Sequence, residues 1–165
     1  MKFSPAISHS STQQRSALMK CKQAMTPDPV CCIPTDTVSN VAKRMKTEDV
    51  GSLPVCESRT SRKLVGIITD RDLAIKVVAD SRDPNKVTTG DVMTWNPMTC
   101  HPDDDLDIAV HSMQSEQVRR IPIVNDAGVL VGIISQADIA LRGSRPERTG
   151  EMVEDISRHS HAGVF

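Results

Sequence analysis

Thr69 and Asp72 stand three residues apart at the end of an apolar stretch, Gly66-Ile67-Ile68-Thr69-Asp70-Arg71-Asp72. Ser135 and Asp138 repeat the arrangement in Gly132-Ile133-Ile134-Ser135-Gln136-Ala137-Asp138. A hydroxyl and a carboxylate at this spacing, where a strand turns into a helix, can do two things. They can close a capping box, with the hydroxyl accepting from the amide three residues on and the acid favouring the helix dipole. Such caps contribute on the order of 1 kcal/mol. They can also hold a nucleotide. The free N–H groups and positive end of a helix N-terminus attract phosphate, the hydroxyl can donate to a phosphate oxygen, and the aspartate can accept from the paired hydroxyls of a ribose. The glycine in the adjoining strand leaves room for a flat base or sugar, or marks a close backbone contact or bulge. The spacing alone leaves both readings open.

Catalysis has less to stand on. The chain has no Gly-x-x-x-x-Gly-Lys-Ser/Thr and no Gly-x-Ser-x-Gly, and its hydroxyls have no base partner at recognisable spacing. The five cysteines, Cys21, Cys31, Cys32, Cys56 and Cys100, are odd in number and form no Cys-x-x-Cys. Neither a disulfide framework nor a zinc ribbon is indicated. They read as small buried apolar residues, with one alternative: Cys31 and Cys56 both fall in expected strands of the same unit, where they can meet as a disulfide or metal pair. Of the histidines only His159 and His161 show ligand-like spacing, in a polar tail. A formal net charge of −1, with both signs interspersed, lacks the basic stripe that nucleic acid or an anionic membrane surface requires. No run approaches the ~18 apolar residues of a membrane span, and the polar N-terminus has no apolar signal core. The expectation is a soluble, cytoplasmic protein with no nucleic-acid or membrane partner and no required cofactor.

The elements that position the two hydroxyl–carboxylate pairs are themselves duplicated. A shift of 68 carries Met25-Thr26 onto Met93-Thr94, Pro34 onto Pro102, Met45 onto Met113 and Pro54-Val55 onto Pro122-Ile123. A shift of 66 carries Leu64-Val65-Gly66-Ile67-Ile68 onto Leu130-Val131-Gly132-Ile133-Ile134. The two-residue difference falls between Cys56 and Leu64, where a polar loop absorbs it. Each unit alone is too small to bury an adequate core, so the two are expected to share one. With Phe3, Trp95 and Phe165 as the only aromatic residues, that core is aliphatic.

In order, residues 1–15 form a disordered polar tail, and a short helix within 16–25 leads into repeat 1, which runs over 16–80. Its elements are a strand at Val30 to Ile33, a helix capped by Asp36 or Thr37 with Val38, Val41, Ala42 and Met45 on its apolar face, and a strand at Leu53 to Cys56. That strand's proline suggests an edge or a strand start. A strand at Leu64 to Ile68, buried on both faces, and a helix from Asp70 to Ala79 complete the unit as β-α-β-β-α. Residues 81–88 are the linker. Repeat 2, over 89–142, has a short lead-in helix, a strand at Met98 to Cys100, and a helix capped by Asp104 or Asp105. A hairpin over Ile121 to Ile134 turns at Asn125-Asp126-Ala127-Gly128, and the last helix starts at Gln136. Residues 143–165 form a C-terminal extension with a possible amphipathic helix over Glu151 to Arg158.

The doubled β-α-β-β-α order, the Met-Thr lead-ins, the Leu53-Pro54-Val55 and Ile121-Pro122-Ile123 strands and the two Gly-x-x-Thr/Ser-x-x-Asp stretches together resemble a CBS-domain pair, or Bateman module. The resemblance covers residues 16–142 and is similar to bacterial stand-alone CBS pairs. It implies an α+β fold of tandem repeats packed sheet to sheet with pseudo-twofold symmetry. It also implies clefts between the repeats that take AMP, ADP, ATP or S-adenosylmethionine, association into a homodimer, and signalling to an unknown regulated protein. By the same resemblance, Thr69 and Asp72 serve one cleft and Ser135 and Asp138 the other, with Pro54, Val55, Pro122, Ile123 and the lead-in strands around the base. The clefts are not equal in sequence. Arg119 and Arg120, suited to phosphate, replace Gly51 and Ser52, while Thr35 and Thr37 offer neutral donors where the second repeat has Asp103 to Asp105. The function expected is a non-catalytic regulatory module. The alternatives are a ligand-free structural or interaction protein, or a thiol or metal sensor through Cys31 and Cys56.

Overall fold

Each of the two sheets takes its third strand from the other repeat. The computed structural model describes residues 19–142, so the expected N-terminal tail and the helix over Glu151 to Arg158 lie outside the described residues. A four-residue helix α1 (Cys21–Ala24) leads into β1 (Thr26–Pro27). Then come α2 (Val38–Glu48), the hairpin β2 (Ser52–Cys56) and β3 (Leu64–Thr69), and α3 (Asp70–Leu73), which continues as a π-helical turn over Ala74–Val78. Repeat 2 follows with α4 (Thr89–Val92), β4 (Thr94–Trp95), α5 (Leu106–Ser115), β5 (Arg120–Val124), β6 (Leu130–Ser135) and α6 (Gln136–Arg142). One sheet has the order β2-β3-β4 and the other β1-β6-β5, all antiparallel. The fold is α+β, two repeats packed sheet to sheet about a pseudo-twofold axis.

The exchanged lead-ins explain the strand glycines. A Cβ on Gly66 would sit 2.8 Å from both the Met93 sulfur and the Thr94 carbonyl, and a Cβ on Gly132 would collide with Met25. The glycines therefore make room for the lead-in methionine of the other repeat, not for a base or sugar. Gly66→Ala is expected to cost about 1–3 kcal/mol through overpacking. Gly132→Ala should cost less, because its contacts are all with the flexible Met25 side chain, whereas Gly66 also meets backbone. Urea denaturation midpoints of the two variants check this; equal or reversed costs would contradict it.

The exchange continues in the cores. Cys21 and Ala24 of α1 pack with Leu106, Ala109, Met113, Ile121, Ile123 and Ile134 of repeat 2. Val92 and Met93 pack with Val38, Val41, Met45, Leu53, Val55 and Ile68 of repeat 1. Burial of Val38, Val41 and Met45 follows the helical spacing, but Ala42 is exposed. Thr37 caps α2 by accepting from the Asn40 amide at 3.4 Å. Asp105 is the N-cap residue of α5 without a capping side-chain bond, while Asp104 accepts from the His101 amide at 2.7 Å.

Two expected strands shrink to single bridges, Cys32 with Val55 and Cys100 with Ile123. In the first, Pro29 and Pro34 lack amide protons and the Ile33 amide donates to Asp36 at 3.1 Å, so no ladder can extend. β3 is central, yet only Gly66 and Ile68 are fully buried along it; the alternate residues are half-buried. The proline of β2 does lie in an edge strand: β2 and β5 are the outer strands of their sheets, each extended beyond its one ladder only by the single bridge to Cys32 or Cys100. The turn after β5 is an Asx turn. Asn125 Oδ1 accepts from the amides of Ala127 and Val129, both at 3.0 Å, and Gly128 takes a positive φ of 73°. Lys63 and Val129 form a bridge that clasps the two hairpin loops together. Among the described residues no helix is long and apolar enough to cross a membrane.

Candidate functional site

Both hydroxyl–carboxylate pairs are complete capping boxes. The Thr69 amide and hydroxyl donate to Asp72 Oδ2 at 2.9 and 2.7 Å, and the Asp72 amide donates back to Thr69 Oγ1 at 3.2 Å. The Ser135 amide donates to Asp138 Oδ2 at 2.9 Å, the Ser135 hydroxyl donates to the same oxygen, and the Asp138 amide returns to Ser135 Oγ at 3.2 Å. Thr88 and Asp91 form the same box at the start of α4, outside the duplicated stretch, with distances of 2.9 and 2.7 Å. The arrangement is thus first a cap, and a ligand function needs atoms that the cap leaves over.

Those atoms differ between the two pairs. In repeat 1 the second oxygen of Asp72 is bound by Lys76 at 2.8 Å, one helical turn on, and Lys76 also donates to the Val92 carbonyl at 2.6 Å. Burial, the largest single influence, pushes the Asp72 carboxyl up, but the bonds from Lys76 and Thr69 together hold it below the usual carboxylate range. Asp72 is therefore an anion at neutral pH with a cation beside it. In repeat 2 no described side chain bonds the second oxygen of Asp138. Next to it Gln136 Nε2 is buried with no hydrogen-bond partner among the described residues, an orphaned donor that the motif spacing did not single out.

Arg120 reaches the turn of the opposite repeat. A point one Cβ bond from Gly51 lies 2.9 Å from Asp70 Oδ2 and 3.5 Å from Arg120 Nη2, so this guanidinium stands over the turn that begins at Thr69. Arg119 is exposed, and its carbonyl accepts from the Gln136 amide at 3.1 Å. Pro54 and Pro122 are buried, with carbonyls accepting from the Cys32 and Cys100 amides at 3.0 and 3.2 Å. Val55 and Ile123 are fully buried in the two cores. Thr35 is exposed, and Thr37 is half-buried at the cap of α2, bridged to Thr88. The structure thus gathers Thr69, Asp72, Lys76 and Arg120 around one turn and Ser135, Gln136 and Asp138 around the other. Trp95, the sole tryptophan, lies 54% exposed on β4 beside β3, with its indole N–H donating to the Gly90 carbonyl at 3.3 Å.

Four of the five cysteines fall into two pairs. Cys31 and Cys56 come together as their places in one unit suggested, although the segment carrying Cys31 is not a strand, and Cys21 meets Cys100 across the repeats, which the sequence did not suggest. All five are buried and free. Among the described residues no cluster of three or more His, Cys, Asp or Glu side chains is placed to hold a metal ion.

The family profile described as the CBS domain matches residues 21–79 and 90–144. Protein YlbB of Bacillus subtilis is 37% identical over 140 residues, which cover 85% of this chain and 93% of YlbB. The crystal structure of Hypoxic Response Protein I with two coordinated zinc ions superposes with a TM-score of 0.67 at 31% identity, covering 75% of this chain and 98% of that one. The CBS domain pair of protein MJ0100, in complex with 5′-methylthioadenosine and S-adenosyl-L-methionine, gives a TM-score of 0.67 at 29% identity over 75% of this chain and 94% of that one.

Proposed function

Since the chain belongs to the CBS-domain family and carries two copies of that domain, we propose that it is a non-catalytic regulatory module that binds an adenine nucleotide or S-adenosylmethionine between its repeats. The observation that carries the reading is the convergence on one turn of groups from both repeats: Asp72 with an oxygen beyond its cap, and Arg120 from the opposite repeat over the same turn. A carboxylate recognises a ribose diol, and a guanidinium recognises phosphate by paired charge-assisted bonds. Because the two groups come from different repeats, a ligand spanning them favours the arrangement of the repeats that brings them together, and such differential affinity is what a regulatory signal requires. The adenosyl compounds held by the MJ0100 pair support the ligand class.

Titration of Trp95 fluorescence with AMP, ADP, ATP and S-adenosylmethionine tests the reading, since Trp95 lies on the edge strand of the sheet whose β3 ends at Thr69. At least one ligand is expected to give a saturable change. No change with any of the four, together with no retention in equilibrium dialysis, would end the proposal. Arg120→Gln is expected to weaken ATP binding by about ten- to a hundredfold, the loss of a charge-assisted bond of ~1.5–3 kcal/mol, while adenosine binding stays nearly unchanged. An equal loss for both would remove Arg120 from the phosphate role.

A further inference from the structure

Cys31 and Cys56 converge beneath the clasp that joins the two hairpin loops. The Cys32–Val55 bridge holds the chain around Cys31 beside β2, with the Cys32 amide donating to the Pro54 carbonyl at 3.0 Å and the Cys56 amide donating to the Cys32 carbonyl at 2.9 Å. The two thiols lie together in one apolar cluster with Leu130 and Leu64. The clasp closes over that cluster through the Leu64 amide to the Gly128 carbonyl at 3.1 Å and the Leu130 amide to the Arg62 carbonyl at 2.9 Å. Arg62 also donates to the Pro29 carbonyl at 3.1 Å and pairs with Asp28 at 3.0 Å, which holds its guanidinium beside the segment that carries Cys31. Cys31 keeps 8% of its surface open, and Cys56 none.

We propose that Cys31 and Cys56 are a dithiol that a hydroperoxide oxidises to an intramolecular disulfide, with Cys31 as the attacking sulfur and Cys56 as the resolving one. The electrostatics assign the roles. The hydrogen bond from Cys56, followed by the charges of Arg62, Arg44 and Arg59, pulls the Cys31 thiol down to about 6 against the opposing effect of burial. Cys31 is then a thiolate at neutral pH, the form that attacks. The same hydrogen bond, and then burial, push Cys56 up, so it keeps its proton until Cys31 has reacted.

In the first step the Cys31 thiolate attacks one peroxide oxygen. An S–O bond forms, the O–O bond breaks, and hydroxide leaves, leaving a sulfenic acid. In the second step Cys56 loses its proton to the departing hydroxide as its sulfur attacks that of Cys31. The S–S bond forms and the S–O bond breaks. In sum two thiols and one hydrogen peroxide give one disulfide and two waters, with the dithiol oxidised by two electrons. The proposal does not depend on nucleotide binding.

The second pair is an internal control. Cys21 is also pushed up by its hydrogen bond to Cys100 and by burial, and Cys100 is lowered by that bond, but the charges at this pair are those of Asp104 and Asp105, which disfavour a thiolate. Cys32, with no thiol partner, is pushed up to about 12, chiefly by burial.

The test uses the reduced full chain treated with a small excess of hydrogen peroxide at neutral pH, followed by alkylation and peptide mass spectrometry without reductant. The expected product has lost two of its five thiols, contains a Cys31–Cys56 linked peptide lighter by two hydrogens, and recovers both thiols with dithiothreitol. The rate should rise as pH passes through about 6, and Arg62→Gln should slow it several-fold. Cys56→Ser should leave a Cys31 sulfenic acid that dimedone traps. Five intact thiols after treatment, a Cys21–Cys100 link appearing first, or Cys31 stopping at sulfenic acid in the unsubstituted chain would each overturn the proposal.

Discussion

Residues 81–142 alone will not fold. The sequence repeat is not the structural unit, because β6 needs β1 and the repeat-2 core needs Cys21 and Ala24 of α1. Without them one sheet drops to the β5–β6 hairpin, and an isolated two-stranded hairpin is marginal in water. The space against Gly132, filled by Met25 in the intact chain, becomes an open defect. Residues 19–80 face the mirrored loss of α4, β4 and Met93. A core this small cannot offset the entropy of ordering its chain. Far-UV circular dichroism of either half should therefore show no cooperative thermal transition, and the intact chain should unfold in a single step. Mixing the halves should restore structure, since each supplies the other's missing strand. A half that melts cooperatively by itself would mean that the exchanged lead-ins are decoration on independent units.

This exchange also marks the limit of what the sequence revealed. Self-similarity showed that Met25-Thr26 and Met93-Thr94 are equivalent, and it placed the hairpins, the edge prolines and the Asn125 turn correctly. An equivalence cannot say which copy a strand joins: pairing Thr26 with Ile133 or with Ile67 satisfies the same pattern. The glycines were read either as space for a ligand or as close backbone contacts, and the choice stayed open because their partner, a methionine from the other repeat, was invisible until the exchange was known. Cys21 and Cys100 escaped notice for the same reason, being far apart in the chain and in different repeats. Thr88 and Asp91 were legible as a capping box from their spacing alone, yet they open the lead-in helix of repeat 2 and fell outside the Gly-x-x-Thr/Ser-x-x-Asp stretches being followed. Gln136 sits at the position equivalent to Asp70, and nothing in the pattern says that its amide would be buried without a partner.

Asp72→Ala and Asp138→Ala are each expected to lower the melting temperature of the unliganded protein, and at least one of them is expected also to abolish stabilisation by nucleotide. The two effects have different origins. The first is the loss of a cap, about 0.5–2 kcal/mol. At Asp72 the loss includes a carboxylate whose affinity for protons is lowered by folding, so its contribution is present at neutral pH and fades as the pH falls through the carboxylate range. The second is the loss of a ribose acceptor. A ligand at about 100 times its dissociation constant adds ~2.7 kcal/mol, on the order of 5–10 °C for a chain of this size. The comparison that matters is therefore the ligand-induced shift in each variant, not its melting temperature. Asp91→Ala separates the two origins, since Asp91 closes an equivalent box away from both signature turns. It should lower the unliganded melting temperature and leave the ligand shift intact. Asp72→Ala losing the shift would assign the ligand to the turn beneath Arg120, where Lys76 must share the carboxylate with the ribose. Asp138→Ala losing it instead would assign the ligand to the turn of Gln136, whose buried amide would then gain a partner. If all three variants keep the shift, the two aspartates are caps and nothing more, and the ligand, if adenosyl, is held by other groups.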